Sequence, residues 1–166
     1  SPNPRTASQN VVAKDVVIVF DHSGSMSGKK IEQAKEALRF IVKNLNKEDR
    51  FGVVAYNDGV TPYSDKLQEA TQANVDGALN RLDRTDAGGG TNIHEALQTA
   101  IKYCTGENKR PQYILFLTDG LPTAGKTNEA DILGDTQKAN KSGARLFALG
   151  IGYDVNVRLL DRLVGD

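Results

Sequence analysis

The chain has 166 residues, and its 21 Lys plus Arg offset its 21 Asp plus Glu, leaving a formal net charge of zero. One domain with one sizeable core suits this length, and a chain without basic excess is not built to take nucleic acid as its main partner. No apolar run approaches the ~18 residues of a membrane span, so no membrane insertion is expected; with Cys104 as the only cysteine there is no internal disulfide and no cysteine-based metal cluster.

Residues 1–13 are mostly polar and read as a flexible arm, leaving 14–166 as the domain. Val16 to Phe20 is a continuous run rich in β-branched residues, as a strand buried on both faces requires. Ile31, Ala34, Leu38, Ile41 and Leu45 then recur at helical spacing and predict a helix over 29–45. Phe51 to Tyr56 is a second strand. The turn-like Asn57-Asp58-Gly59 sends the chain back through Val60 to Tyr63, where Pro62 confines the third strand to a sheet edge. Val75, Ala78, Leu79 and Leu82 mark a short helix, and the stripe from Ile93 to Cys104 predicts another over 92–104. A doubly buried strand, Tyr113 to Leu117, is followed by a helix over 128–142, a strand from Leu146 to Ile151 and a helix from Asn156 to Val164.

Strands alternating with helices imply an α/β fold: a doubly wound, mostly parallel sheet with helices on both faces. The hairpin sets strand two between strands one and three. The order becomes 3-2-1-4-5, with strand three as an antiparallel edge and the winding reversing beside strand one. Ligands of such sheets bind beyond the carboxyl ends of the strands at that reversal. Strand one runs out at Asp21 and strand four at Asp119, so two carboxylates fall where the topology nominates a site.

Around them stand hydroxyls. In Asp21-His22-Ser23-Gly24-Ser25 alternate residues can point one way, and the Gly88-Gly89-Gly90 loop can bring Thr91 close. Two carboxylates and three hydroxyls form an all-oxygen set suited to Mg²⁺ or Mn²⁺, whereas two such anions side by side without a cation would repel. Each piece alone has a plainer explanation: Ser23, Ser25 and Thr91 could cap helices, and Asp119-Gly120 could be a turn. Their convergence on one crevice favours the metal.

These residues carry a resemblance. The segments VVIVFDHSGSMSGKKIEQAKEAL (16–38), EDRFGVVAYN (48–57), GGGTNIHEAL (88–97), LTDGLPTAG (117–125) and LFALGIGYDVNVRLLDRL (146–163) resemble the von Willebrand factor type A domain. The likeness is greatest to the type in inter-alpha-trypsin inhibitor heavy chains and their bacterial relatives. It implies a Rossmann-like fold and a metal-ion-dependent adhesion site formed here by Asp21, Ser23, Ser25, Thr91 and Asp119. It also implies one Mg²⁺, with Mn²⁺ or Ca²⁺ as alternatives, and a protein partner that presents an Asp or Glu to the ion. Specificity would then come from the loops around it: His22, Met26, Gly88–Gly90 and Leu121 to Gly125. Family usage points to an extracellular, cell-surface or periplasmic setting. His22 stands where relatives often carry a small or apolar residue, and its side chain is expected to turn away from the metal. The last helix read here is the final element of the sequence, whereas relatives usually add an edge strand and a closing helix, so the domain over 14–166 is expected to lack that closing pair or to carry it elsewhere.

Two enzymatic readings compete. Ser23 or Ser25 with His94 and Asp119 supplies the residue types of a hydrolase triad, but Gly-x-Ser-x-Gly is absent and no carboxylate evidently orients either histidine. Gly24 to Lys30 fails as a phosphate loop, having three residues between its glycines and Lys30 where Ser or Thr is needed. Cys104 lies on the apolar stripe of its helix and reads as a buried, inert thiol.

Overall fold

The computed structural model describes residues 12–106, 109–118 and 143–150, the last three by their backbone only. Six strands run β1 (Asp15–Asp21), β2 (Arg50–Tyr56), β3 (Val60–Pro62), β4 (Gln68–Glu69), β5 (Gln112–Thr118) and β6 (Arg145–Gly150). Three helices, α1 (Lys29–Lys43), α2 (Gln72–Asp83) and α3 (Ile93–Tyr103), and a 3-10 turn at Gly24–Met26 connect them among the described residues. The sheet order is β3-β2-β1-β5-β6, with β1, β2, β5 and β6 parallel and β3 antiparallel at the edge. This is the order expected from the sequence, with β5 and β6 as its fourth and fifth strands. The helices expected over 128–142 and 156–164, and the arm as far as Val11, lie outside the described residues.

The pleat of β1 explains why its whole run is apolar. Val16, Ile18 and Phe20 pack with α1 and α2 on one face, while Val17 and Val19 pack with α3 on the other. Each large apolar side chain removed from water this way contributes about 1.5–3 kcal/mol. Two details depart from the periodicity. Helix α1 ends at Lys43, and Leu45 is buried beyond it, so the stripe records burial further than it records helix. The pair Gln68–Glu69 joins the exposed edge of β2 as a strand that no apolar pattern announces.

The amino ends of the strands are clamped by charge. Asp15, fully buried, accepts from Arg50 Nε (2.9 Å) and Nη2 (2.7 Å) and from Gln112 Nε2 (3.0 Å), which ties β1 to both neighbours. Buried Asp49 accepts from the Lys14 amide and Nζ, both at 3.0 Å, and from the Asn46 amide at 2.8 Å. Buried carboxylates are tolerated when their oxygens are this fully engaged. With the charges clamped at one pole, the opposite pole is left to the loops.

Candidate metal centre

At the carboxyl end of β1 the chain makes a tight loop that is held from three sides. The His22 amide donates to Tyr56 O (2.9 Å), extending the ladder with β2 by one residue. The Gly24 amide donates to Gly89 O (2.8 Å) and the Gly88 amide to His22 O (2.8 Å), so the Gly88–Gly90 loop lies directly on the β1 loop. Asn57 completes the latch: its side-chain amide donates to Gly88 O (2.9 Å), and its carbonyl accepts from the Asn92 amide (2.7 Å). The approach is close enough that a Cβ on Gly24 would sit 3.3 Å from Gly89 O. Gly89 itself adopts φ +83°, a conformation that side chains disfavour.

Inside this frame Asp21 is fully buried and oriented by two donors. Its Oδ1 accepts from the Ser23 amide (2.8 Å) and its Oδ2 from the Thr118 hydroxyl (2.5 Å) at the end of β5. Ser23 is 1% exposed, and its Oγ lies 3.2 Å from Oγ of the exposed Ser25. Thr91 is 3% exposed at the end of the glycine loop. The capping explanation does not hold for these hydroxyls. The residue capping α3 is Asn92, which accepts from the Glu95 amide (3.3 Å); α1 is preceded by Gly28, and the Ser23 side chain caps nothing.

The donor set can be tested against the ion it would hold. Mg²⁺ takes near-octahedral oxygens at about 2.0–2.1 Å, which puts adjacent ligands about 2.9 Å apart. The two serine hydroxyls at 3.2 Å are spaced for neighbouring positions on such an ion. Asp21, with both oxygens already accepting hydrogen bonds, retains further lone pairs and a fixed direction. The residues therefore fit a hard divalent cation. Among the described residues no three His, Cys, Asp or Glu side chains gather into a metal cluster. Of the expected site residues, Asp21, Ser23, Ser25 and Thr91 are described, whereas Asp119 lies outside the described residues, as does the Leu121–Gly125 loop.

The expectation for Met26 is changed. Met26, read as a loop residue able to meet a partner, is fully buried in the core with Ile18, Phe20 and α1, so it supports the loop from below. His22 turns its ring to the glycine-loop side, where Nδ1 donates to Asp86 O (2.9 Å). Thr118 and Asn57, which bond to Asp21 and to the glycine loop, are neighbours that sequence reasoning passed over: one reads as a strand residue, the other as a turn. The hydrolase reading, Ser23 or Ser25 with His94 and Asp119, finds no support among the described residues: Ser23 Oγ meets Ser25, and Asp119 lies outside them. His94 is half-buried in the first turn of α3. Burial, then the Asp15 carboxylate, pushes the Cys104 thiol up to about 11, which leaves it protonated and unreactive near neutrality.

A mostly parallel sheet with an Asp-x-Ser-x-Ser loop at its switch point is the mark of one class. The chain belongs to the von Willebrand factor type A domain family, metal-dependent protein-interaction modules, whose model matches residues 15–166. It is similar to inter alpha-trypsin inhibitor, heavy chain 4, of Mus musculus, at 38% identity over 162 residues, which covers 93% of this chain and 17% of the mouse protein. The chain thus spans about a sixth of that relative's length. Among solved structures, a von Willebrand factor type A protein from Catenulispora acidiphila superposes with a TM-score of 0.75 at 24% identity, over 93% of this chain and 37% of the other. The manganese-loaded TRAP protein of Plasmodium vivax gives 0.65 at 19% identity, over 93% and 64%.

Proposed function

We propose that this chain is a protein-binding module whose contact runs through one divalent ion, Mg²⁺ by preference, held by Asp21, Ser23, Ser25, Thr91 and Asp119. The observation that carries the reading is the buried Asp21 carboxylate, aimed by two donors beside a pair of hydroxyls at octahedral-edge spacing. When bound, the ion supplies a hard positive charge that an acidic side chain of the partner can complete.

The protein's own part is positioning. The Ser23 amide and the Thr118 hydroxyl fix the Asp21 carboxylate, so little side-chain freedom remains to be lost when the ion arrives. Ser23 and Ser25 add donors without adding charge, so two aspartates suffice to balance a divalent ion. The latch of Gly24, Gly88 and Asn57 holds the loop that leads to Thr91 against the β1 loop. The exposed rim, with His22 and the glycine loop, surrounds the contact and would select the partner. An extracellular, cell-surface or periplasmic setting follows from the adhesive role proposed here. No helix among the described residues is long and apolar enough to cross a membrane.

Titration calorimetry on metal-stripped protein should find about one Mg²⁺ or Mn²⁺ site per chain, lost in Asp119→Ala while the far-ultraviolet dichroism of the fold persists. Partner capture from native extract should disappear in chelator. Capture undiminished in excess chelator would remove the ion from the contact and end this reading.

A further inference from the structure

Beside the metal loop, on the α2 and β3 side, the surface sinks into a cleft of about 400 Å³. His22, Tyr63, Arg81, Arg84, Thr85 and Asp86 line it, with Thr61 on the rim and Ala55 at the floor. Two of its wall residues belong to the loops of the metal centre: His22 follows Asp21, and Asp86 leads into Gly88–Thr91. The cleft and the metal centre therefore share a wall, closed by the bond from His22 Nδ1 to Asp86 O.

Its charge is unbalanced and partly fixed in place. Arg81 lies over the Tyr63 ring, with its guanidinium carbon 4.7 Å from the centroid, and donates through Nη1 to Tyr63 O at 2.8 Å. The Thr85 hydroxyl donates its one proton to Arg81 O (2.9 Å), so the Tyr63 hydroxyl must be the donor to Thr85 (2.6 Å). Arg81, Tyr63 and Thr85 thus form a closed ring of contacts that holds one guanidinium still. Arg84 is exposed and makes no side-chain hydrogen bond or ion pair among the described residues. Against these two cations the wall carries one carboxylate, Asp86, and the nearby Asp83 is already paired with Arg39 at 3.0 Å.

We infer that this cleft is a carboxylate subsite that receives a second acidic side chain from the partner segment whose first carboxylate meets the ion. The inference rests on the metal-dependent reading above for the identity of the segment, and on the cleft alone for its chemistry. A guanidinium presents paired N–H donors that match the two oxygens of a carboxylate. A preorganised Arg81 loses little freedom on binding, whereas Arg84 can swing to close over the occupant. With Asp86 on the wall the two arginines leave one net positive charge, which a single carboxylate neutralises. The partner is then an acidic peptide with two carboxylates, one for the ion and one for the arginines.

The test uses the folded chain with an acetylated, amidated octapeptide of glutamate, its glutamine counterpart and inorganic phosphate, each in Mg²⁺ and in chelator. The glutamate peptide should bind and move the Arg84 side-chain Nε resonance, while the glutamine peptide should not. Arg84→Gln and Arg81→Gln should each weaken the glutamate peptide by about fivefold, with Mg²⁺ affinity unchanged. Unchanged peptide affinity in Arg84→Gln with a still Arg84 resonance would overturn the subsite, and so would phosphate moving Arg84 more strongly than the peptide. The two readings fail separately. Peptide binding and the Arg84 shift surviving in chelator, in a chain that takes up no Mg²⁺, would sink the metal and keep the cleft. Intact Mg²⁺ binding with neutral arginine variants would do the reverse.

Discussion

One of the two donors that orient Asp21 is a lone hydroxyl. Thr118 ends β5, its main chain continues the ladder to β6, and its side chain reaches across to the carboxylate of β1 at 2.5 Å. Removing the hydroxyl while keeping the branched shape leaves the sheet intact and releases one carboxylate oxygen. Thr118→Val should therefore weaken Mg²⁺ binding by about 10–100-fold, the usual effect of losing a partner that orients a metal ligand. Without metal the variant should also be less stable, by about 1–3 kcal/mol, because the fully buried carboxylate loses a donor, although the core contacts of β5 from Ile114 to Leu117 remain. Calorimetry reads the first quantity and a melting curve the second; equal Mg²⁺ affinity in the variant would mean that the carboxylate needs no such guide. Nothing in the sequence marks this threonine, because a β-branched residue at a strand end is already explained by the strand.

Elements differ in how openly the sequence declares them. The run from Val16 to Phe20 and the stripe of α3 announce themselves, because burial on two faces or on one helical face leaves a period to read. Gln68–Glu69 is exposed on both residues and pairs only through its backbone, so no side-chain pattern exists to find. Met26 is a lone apolar residue in a polar loop, and one residue has no period. The Asp21-x-Ser23-x-Ser25 loop was legible as chemistry, whereas its latch was not, being made of backbone groups and Asn57. That latch predicts an asymmetry between adjacent glycines. Gly89 has φ +83°, and a Cβ there would lie 2.5 Å from Asp58 Oδ2, whereas a Cβ on Gly88 meets nothing within 4 Å. Gly89→Ala should cost about 1–2 kcal/mol and loosen the loop, with Gly88→Ala within about 0.5 kcal/mol of the parent. Chemical denaturation of the two variants checks this, and equal costs would contradict the geometry.

The whole molecule is polar in its design, with ion pairs at the amino ends of the strands and binding loops at the carboxyl ends. Asp15 and Asp49 tie down the first pole, while Asp21, the serines and the arginine cleft occupy the second. Between them runs β1, flanked on both sides by parallel partners, along Asp15–Asp21 to β2 and along Asp15–Phe20 to β5. The binding role proposed above would place load on the domain, and this central strand sets how it is borne. Tension applied from the start of β1 to the end of β5 drags the two strands along each other, so their cross-bonds share the force and must break together. Tension applied to Arg50 and Glu69, which lie side by side where β4 pairs with the start of β2, instead peels first the β4 and then the β3 bonds one after another. Forced unfolding reads the rate of crossing a barrier more than the equilibrium stability, so one fold should show two strengths. Force spectroscopy with handles at Val12 and Thr118 should give a higher rupture force than with handles at Glu48 and Thr71, and similar forces would contradict this account. The same parallel pairing that brings Asp21 to the crevice thus makes the domain stiffest along the line joining its two poles.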